Sequence, residues 1–536
     1  MTSYQIFVLI TIALMLVVLP MVGLAACFKK AGIPVWQAYV PFYNTWVATV
    51  AMDTKKYWFF LQFVPVLGWF ATMVIFIEFS KLFAKYKFYQ HGAAALLAPI
   101  YFAYIGYSKA FKNNFVGKEV AKRGTKTKVR EWLDAAVFAV VAATLIRTFV
   151  FEAYTIPTSS MEKTLLVNDF LFVSKMKYGP RIPNTPIAMP FVHNSLPNSK
   201  IPSYVEWPHI PYTRWFGSPV KRNDIVVFNF PAGDTLTKEW DSQQPYYDIL
   251  RAFEEQAKED LKGKIKDSLT LLNTAYTQAR ENVYTQFNIT TRPVDKKENY
   301  IKRCVAVGGD EVTIKDGELF INGQPSEFKN PTTFYTVTTN GKILNEDDLT
   351  EAGVHVNQGD EGLSKDFTVI NATRFRVNLS ADEVVKVKAI AGVISCEKII
   401  SNVDDGGNKF NLFPYCYNRV NFGWSIDNFG PLVIPQKGVE IPLNLKNIAL
   451  YERAIVGYEG NTLTQSNGTV LINGVAATTY TFKMNYYWMM GDNRHKSQDS
   501  RFWGYVPEDH IVGSPSVIWM SLEGGVRWKR LFKVPK

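Results

Sequence analysis

A serine sits in a turn opened by proline, Ile156-Pro157-Thr158-Ser159-Ser160-Met161-Glu162-Lys163-Thr164-Leu165, immediately before the apolar run Phe170-Leu171-Phe172-Val173. A serine hydroxyl attacks a carbonyl only when a neighbouring base takes its proton, so the question is which base the chain supplies. Histidine fits badly. His91, His193, His209, His355, His495 and His510 are scattered, with no Gly-x-Ser-x-Gly elbow and no His-Glu-x-x-His zinc pattern. A lysine serves instead if apolar burial holds it neutral, which means lowering its pKa from about 10.4 towards 8 at a cost of about 3 to 4 kcal/mol. Lys302 lies inside Asn299-Tyr300-Ile301-Lys302-Arg303-Cys304-Val305-Ala306-Val307, where a strand's period of two sets it beside Tyr300 and Cys304 and sends Arg303 to the other face. On this segment alone, a lysine on a solvated strand face is the commoner arrangement. Ser160-x-x-Lys163 also satisfies the acyl-transfer pattern of penicillin-binding enzymes. That pattern needs a helix to join its two residues, however, and neither Ser-Asp-Asn nor Lys-Thr-Gly occurs in the chain.

The elements that must position these groups divide the 536 residues into an apolar first part and a remainder rich in short β patterns. Apolar runs cover Ile6 to Phe28, Tyr57 to Phe79, Ala93 to Tyr107 and Trp132 to Phe151, and they predict membrane spans. No Lys or Arg precedes the first run, which argues for a span over a cleaved leader. The stretch Ile33 to Met52, aromatic and interrupted by Pro41, suits an interfacial segment. Much of the net charge of +11 clusters between residues 109 and 130, a basic loop that belongs in the cytoplasm and sends everything after residue 152 to the other side. The same clustering favours membrane topology over nucleic-acid binding as the meaning of the charge. Four cysteines make no disulfide framework, and only Cys396 with Cys416 lie where one bridge is plausible.

Beyond residue 152, runs such as Asp169 to Lys175, Asp224 to Phe230, Tyr300 to Val307, Glu311 to Ile314 and Glu318 to Ile321 predict antiparallel β structure. Between them, Leu250, Phe253, Ala257, Leu261, Ile265, Leu269, Leu272, Tyr276, Ala279, Val283 and Phe287 recur three or four apart and predict a long helix or helical hairpin with a solvated charged face. The expected organisation is a membrane region over 1–131, a transmembrane helix over 132–152, catalytic segments over 153–239, 299–325 and 481–536, a helical insertion over 240–298 and a β-rich insertion over 326–480.

In order, Pro157-Thr158-Ser159-Ser160-Met161 with Thr164-Leu165, then Asn223-Asp224-Ile225-Val226-Val227-Phe228, then Tyr300-Ile301-Lys302-Arg303 with Gly308-Gly309-Asp310, then Gly491-Asp492-Asn493-Arg494 with Ser497, Asp499-Ser500-Arg501 and Trp503-Gly504 closely resemble the successive boxes of the type I signal peptidases. The resemblance implies a mainly β, antiparallel barrel-like catalytic domain behind N-terminal transmembrane helices, placed on the extracytoplasmic (periplasmic) side of the inner cell membrane. It implies a serine endopeptidase whose partners are the signal peptides of exported preproteins and the lipid bilayer, cutting after Ala-x-Ala-like sites with no cofactor, no metal and no nucleic acid. By position, Ser160 matches the nucleophile, Lys302 the general base, Thr158 the oxyanion-hole hydroxyl and Ser497 the hydroxyl that orients the lysine. Asp499 and Arg501 match a bracing ion pair, and Ile156, Leu165, Tyr300 and Ile301 match the lining of the substrate pockets. An inactive module that binds targeting peptides without turnover is the alternative, and the joint presence of Ser160, Lys302, Thr158 and Ser497 argues against it. The chain departs from the family pattern at Ser159 (usually Gly), Lys163 (usually Pro), Val307-Gly308 (usually Leu-Pro) and His495-Lys496 (usually Asp-Asn). Lys163 is thereby expected to bring a second cation close to Ser160, and Trp207, Trp215 and Phe216 are candidates for contact with the outer leaflet.

Overall fold

Alternating β-branched and aromatic residues drive the segments after residue 150 into strands, and seven of these form one antiparallel sheet. They are β1 (Phe151–Thr155), β2 (Asp169–Ser174), β3 (Ile225–Asn229), β4 (Asn299–Val307), β5 (Tyr486–Met490), β6 (Val506–Pro507) and β7 (Ile511–Ser521), in the order β1-β2-β7-β3-β4-β5-β6. The computed structural model describes residues 11, 15, 18–63, 67–109, 115–123, 128–207, 209–240, 244, 246–328, 330–356, 365–401, 412–414, 422–466 and 468–536. These fall into two units, Met1–Val150 with Thr213–Trp215, and Phe151–Tyr212 with Phe216–Lys536.

In the second unit the sheet is buried through its middle. All five residues of β3 and all five of β5 are buried, as hydrophobic runs covered on both faces require. Residues 246–286 form the expected helices, Tyr246–Leu261 and Ser268–Gln286, whose apolar faces meet through Ile249, Leu250, Ala279 and Val283. The region after residue 326 is less purely β than its sequence suggests. A four-stranded sheet of Phe367–Asn371, Arg374–Ser380, Thr332–Thr339 and Val393–Lys398, in that order, is accompanied by the helices Glu346–Glu351 and Ala381–Lys388 and shares with them a core of Val337, Leu349, Phe375, Val377 and Val387. Farther on, Phe429–Val433 pairs with Glu311–Lys315, and Phe429, Leu432, Tyr451 and Phe482 enter one core with Trp488 of β5. Cys396 is a free, buried thiol, and Cys416 lies outside the described residues.

The first unit is helical, with Leu24, Phe28, Phe76, Phe79 and Phe102 at its centre. Among the described residues no helix is long and apolar enough to cross a membrane, so the continuous spans predicted from hydropathy are not found. The run from Tyr57 to Phe79 is divided between Tyr57–Leu61 and Leu67–Ser80. The run from Ala93 to Tyr107 is split at Leu97, where the backbone leaves helical geometry ahead of Pro99. Residues 6–10, 12–14, 16 and 17 of the first run lie outside the described residues, and its later part enters the helix Met21–Lys30. The fourth falls in the helix Lys128–Phe149 up to its end, with Phe151 already in β1, and the helix sequence also carries Lys128, Arg130, Glu131, Asp134 and Arg147. Trp207 and Phe216 are exposed, whereas Trp215 is fully buried.

Candidate active site

The serine turn is the tip of the β1–β2 hairpin. Thr155 pairs with Phe170, and Ile156 exchanges backbone hydrogen bonds with Asn168 and Asp169 across the hairpin mouth. Asp169, fully buried, closes the loop by accepting from the Leu166 amide at 2.9 Å and from Ser521 Oγ at 2.6 Å. Thr158 is extended, a short 3-10 turn covers Ser159–Met161, and the chain reverses at Lys163 with a left-handed φ of 73°. Below the turn, Ile156, Met161, Leu165, Leu171, Ile225 and Ile518 form an apolar cluster that Ile301 joins. Each side chain buried there stabilises the turn by about 1.5 to 3 kcal/mol.

Strand β4 carries the lysine to that tip. Lys302 lies opposite Val226 of β3, its side chain is almost wholly buried, and its Nζ donates to Ser160 Oγ at 2.8 Å and to the Ile301 carbonyl at 3.0 Å. Burial lowers the amine from 10.5 to about 8, because charging it removes an ammonium from water, while Asp499 and Asp492 partly oppose the shift. A substantial neutral fraction near pH 8 follows, which is what a base acting on a hydroxyl needs. Thr158 Oγ1 lies 3.4 Å from Ser160 Oγ.

The third side of the site comes from the turn after β5. Met490 pairs with Arg303, so Gly491, Asp492 and Asn493 run past Lys302 as the strand ends. Gly491 has no side chain because there is no room for one: a Cβ would lie 2.2 Å from Ser497 Oγ and 2.5 Å from the Ser160 carbonyl oxygen. Asn493 grips the turn twice, its backbone N–H donating to the Ser160 carbonyl and its Nδ2 to the Ser159 carbonyl, each at 3.1 Å. Asp499 and Arg501 form a bidentate pair, both contacts 2.9 Å and both residues buried, and Asp499 also accepts from the Gly491 amide. Ser497 lies against Gly491 with its hydroxyl directed at the Asp499 carboxylate, and it makes no hydrogen bond to Lys302.

The predicted residues are therefore placed unequally. Ser160, Lys302 and Thr158 converge; Asp499 and Arg501 pair; Ile156, Leu165 and Ile301 share one apolar floor. Tyr300 does not join that floor. Its ring stacks on Phe230 at 4.4 Å, and the Lys302 amine lies 5.7 Å from its centroid. Lys163 is not the second cation expected at Ser160, since its Nζ pairs with Glu383 at 2.9 Å and donates to the His355 carbonyl. This geometry also removes the Ser160-x-x-Lys163 alternative. A second buried pair carries no role in the sequence reading: Arg303 holds both oxygens of Asp492, at 2.8 and 2.7 Å, and Asp492 accepts from Thr164 Oγ1 at 2.6 Å. Its signal was the placing of Arg303 on the face opposite Lys302, where an unpaired guanidinium could not remain buried.

Comparison with known proteins points one way. The family model described as signal peptidase, peptidase S26, matches residues 129–373 and 477–520, and a family of unknown function, DUF5684, matches residues 36–118. A signal peptidase I of Buchnera aphidicola is 23% identical over 413 residues, covering 77% of this chain and 81% of the relative. One of Haemophilus influenzae is 24% identical over 438 residues, covering 78% and 79%. One of Aquifex aeolicus is 61% identical over 36 residues, 7% of this chain and 14% of the relative.

Proposed function

Because the chain belongs to the signal peptidase family, peptidase S26, and is a serine endopeptidase, we propose that it cuts signal peptides from exported preproteins with Ser160 as nucleophile and Lys302 as general base. The observation that carries this reading is the buried 2.8 Å contact between the Lys302 amine and the Ser160 hydroxyl. Neutral Lys302 takes the Ser160 proton as Oγ attacks the scissile carbonyl. The tetrahedral oxyanion is received by the Ser160 backbone N–H and the Thr158 hydroxyl, an interaction worth about 3 kcal/mol per donor. The lysine ammonium then returns the proton to the leaving amine, and the neutral amine activates a water that releases the acyl group from Ser160. Ser497, unbonded to Lys302 at rest, is assigned to orient the amine by rotation of its hydroxyl during this cycle, and Asp499 with Arg501 holds the loop that carries it.

We assign the apolar floor of Ile156, Leu165 and Ile301 as the seat of small substrate side chains, consistent with a preference for Ala-x-Ala-like sites. A membrane location, with the catalytic domain on the extracytoplasmic side, is supported by the basic segment between residues 109 and 130 and by exposed apolar side chains of the first unit such as Leu96, Leu97 and Ile100. The test is cleavage of a synthetic Ala-x-Ala precursor in detergent by the native chain and by Ser160→Ala, Lys302→Ala and Lys163→Ala. Only the Lys163 variant keeps substantial activity. Retention in Lys302→Ala with loss in Lys163→Ala would transfer the base to the other lysine.

A further inference from the structure

The departures from the family pattern are not scattered. Most of them are the points where the inserted segment 326–480 touches the catalytic loops. His495 accepts from the Phe334 amide at 3.2 Å, lies 3.0 Å from Thr333 Oγ1 and pairs through Nε2 with Asp427 at 2.9 Å. Lys496 pairs with Asp366 at 2.6 Å, and all four side chains of these two pairs are 5% exposed or less. Lys163 pairs with Glu383, in the helix Ala381–Lys388 of the same insertion. Gly308 is needed because a Cβ there would lie 2.9 Å from both Gln436 Cβ and the Pro435 carbonyl. Surface drift would not place buried, mutually satisfied polar groups at positions such as His495 and Lys496.

The contacts also lead directly to the reacting groups. Thr332, which opens the first strand of the inserted sheet, donates its N–H to the Asp492 carbonyl at 2.8 Å and bridges to Asn493. Asn493 is the residue whose N–H and side chain hold the Ser160 and Ser159 carbonyls. A path of two successive hydrogen bonds thus leads from the insertion through the 492–499 loop to the nucleophile turn. His495 and Lys496 lie between Asn493 and Ser497 on the same short loop. Their buried partners in the insertion therefore fix the loop from its outer side, while the Asp499–Arg501 pair fixes it from the inner side.

Resting on the Ser160/Lys302 reading above, we infer that the inserted segment acts as a clamp on the catalytic loop, with His495 and Lys496 as positioning residues that hold Asn493 and Ser497 against the dyad. The loop touches no scissile atom, so the clamp acts on the turnover of bound substrate rather than on its capture. Misplacement of a catalytic group by about 1 Å costs up to about a hundredfold in rate.

The experiment uses the full chain in detergent with the Ala-x-Ala precursor and reads kcat and KM separately for the parent, Lys496→Met, Lys496→Arg and Asp366→Asn. The last removes the partner charge from within the insertion. The expected result is a fall in kcat of about tenfold to a hundredfold in Lys496→Met and Asp366→Asn with KM within about twofold, and recovery to within about threefold of the parent in Lys496→Arg. Circular dichroism identifies any variant that fails to fold, and if Lys496→Met does so, Asp366→Asn, which preserves shape, carries the same prediction. Parental kcat in folded Asp366→Asn or Lys496→Met would overturn the clamp, as would loss expressed in KM alone. Absence of Ser160-dependent cleavage by the parent would instead overturn the proposed function, so the two failures are distinguishable.

Discussion

Replacing Lys302 with methionine should abolish cleavage and yet make the protein more stable at neutral pH. The gap between the ordinary lysine value of 10.5 and the buried value of about 8 corresponds to about 3 kcal/mol at about 1.4 kcal/mol per pH unit. The sign follows from proton binding. Below pH 8 both folded and unfolded chains carry the proton, and the fold bears the full cost of an ammonium in a dry site. Between pH 8 and 10.5 the folded chain has released the proton and the unfolded chain has not, so stability rises with pH; above 10.5 the cost is gone. Methionine fills a similar volume without charge, but it forfeits the hydrogen bonds to Ser160 and Ile301, worth about 1 kcal/mol each. The net expectation is a gain of about 1 kcal/mol at pH 7 that is lost as the pH rises from about 8 to above 10.5. Urea unfolding of parent and Lys302→Met in the same detergent at both pH values measures it, and comparison at each pH cancels the titration of all other lysines. A variant less stable than the parent at pH 7, or a difference independent of pH, would refute the reasoning.

Three further outcomes follow from the geometry. Thr158→Val should lower kcat on the Ala-x-Ala precursor by about a hundredfold to a thousandfold with little change in KM, as expected for loss of a donor that acts on the transition state; steady-state kinetics checks it. Gly491→Ala should lower kcat by about a hundredfold, since the new methyl group meets both Ser497 and the Ser160 carbonyl; single-turnover cleavage shows whether the loss falls on acylation. Arg303→Met should destabilise the fold by about 3 to 5 kcal/mol by leaving Asp492 buried and unpaired, and the double variant with Asp492→Leu should recover most of it; urea midpoints of the two variants decide.

Much of the site was legible because its chemistry is local. The proline-led turn around Ser160 and the alternating strand around Lys302 each declare an element in fewer than ten residues, and the 246–286 hairpin declares itself through its apolar spacing. The insertion was less legible. Its helix Ala381–Lys388 has only eight residues, too few for periodicity to separate it from neighbouring strands, although the capping box of Ser380 and Glu383 was a usable signal. His495 and Lys496 were visible only as departures, because their partners Asp427 and Asp366 lie 68 and 130 residues away. Tyr300 was half legible for a related reason: strand period fixes its face, but only packing shows its ring stacked on Phe230. Hydropathy overcounted continuous spans because it registers apolar content and not the breaks between short helices.

The pH dependence of kcat/KM on the Ala-x-Ala precursor tests most directly whether a buried amine is the base. The prediction is a rise through an acid limb centred near 8, with activity about a hundredfold below the plateau at pH 6, unchanged in Lys163→Ala. An inflection near the ordinary histidine value of about 6.5, or a flat profile between pH 6 and 9, would contradict it.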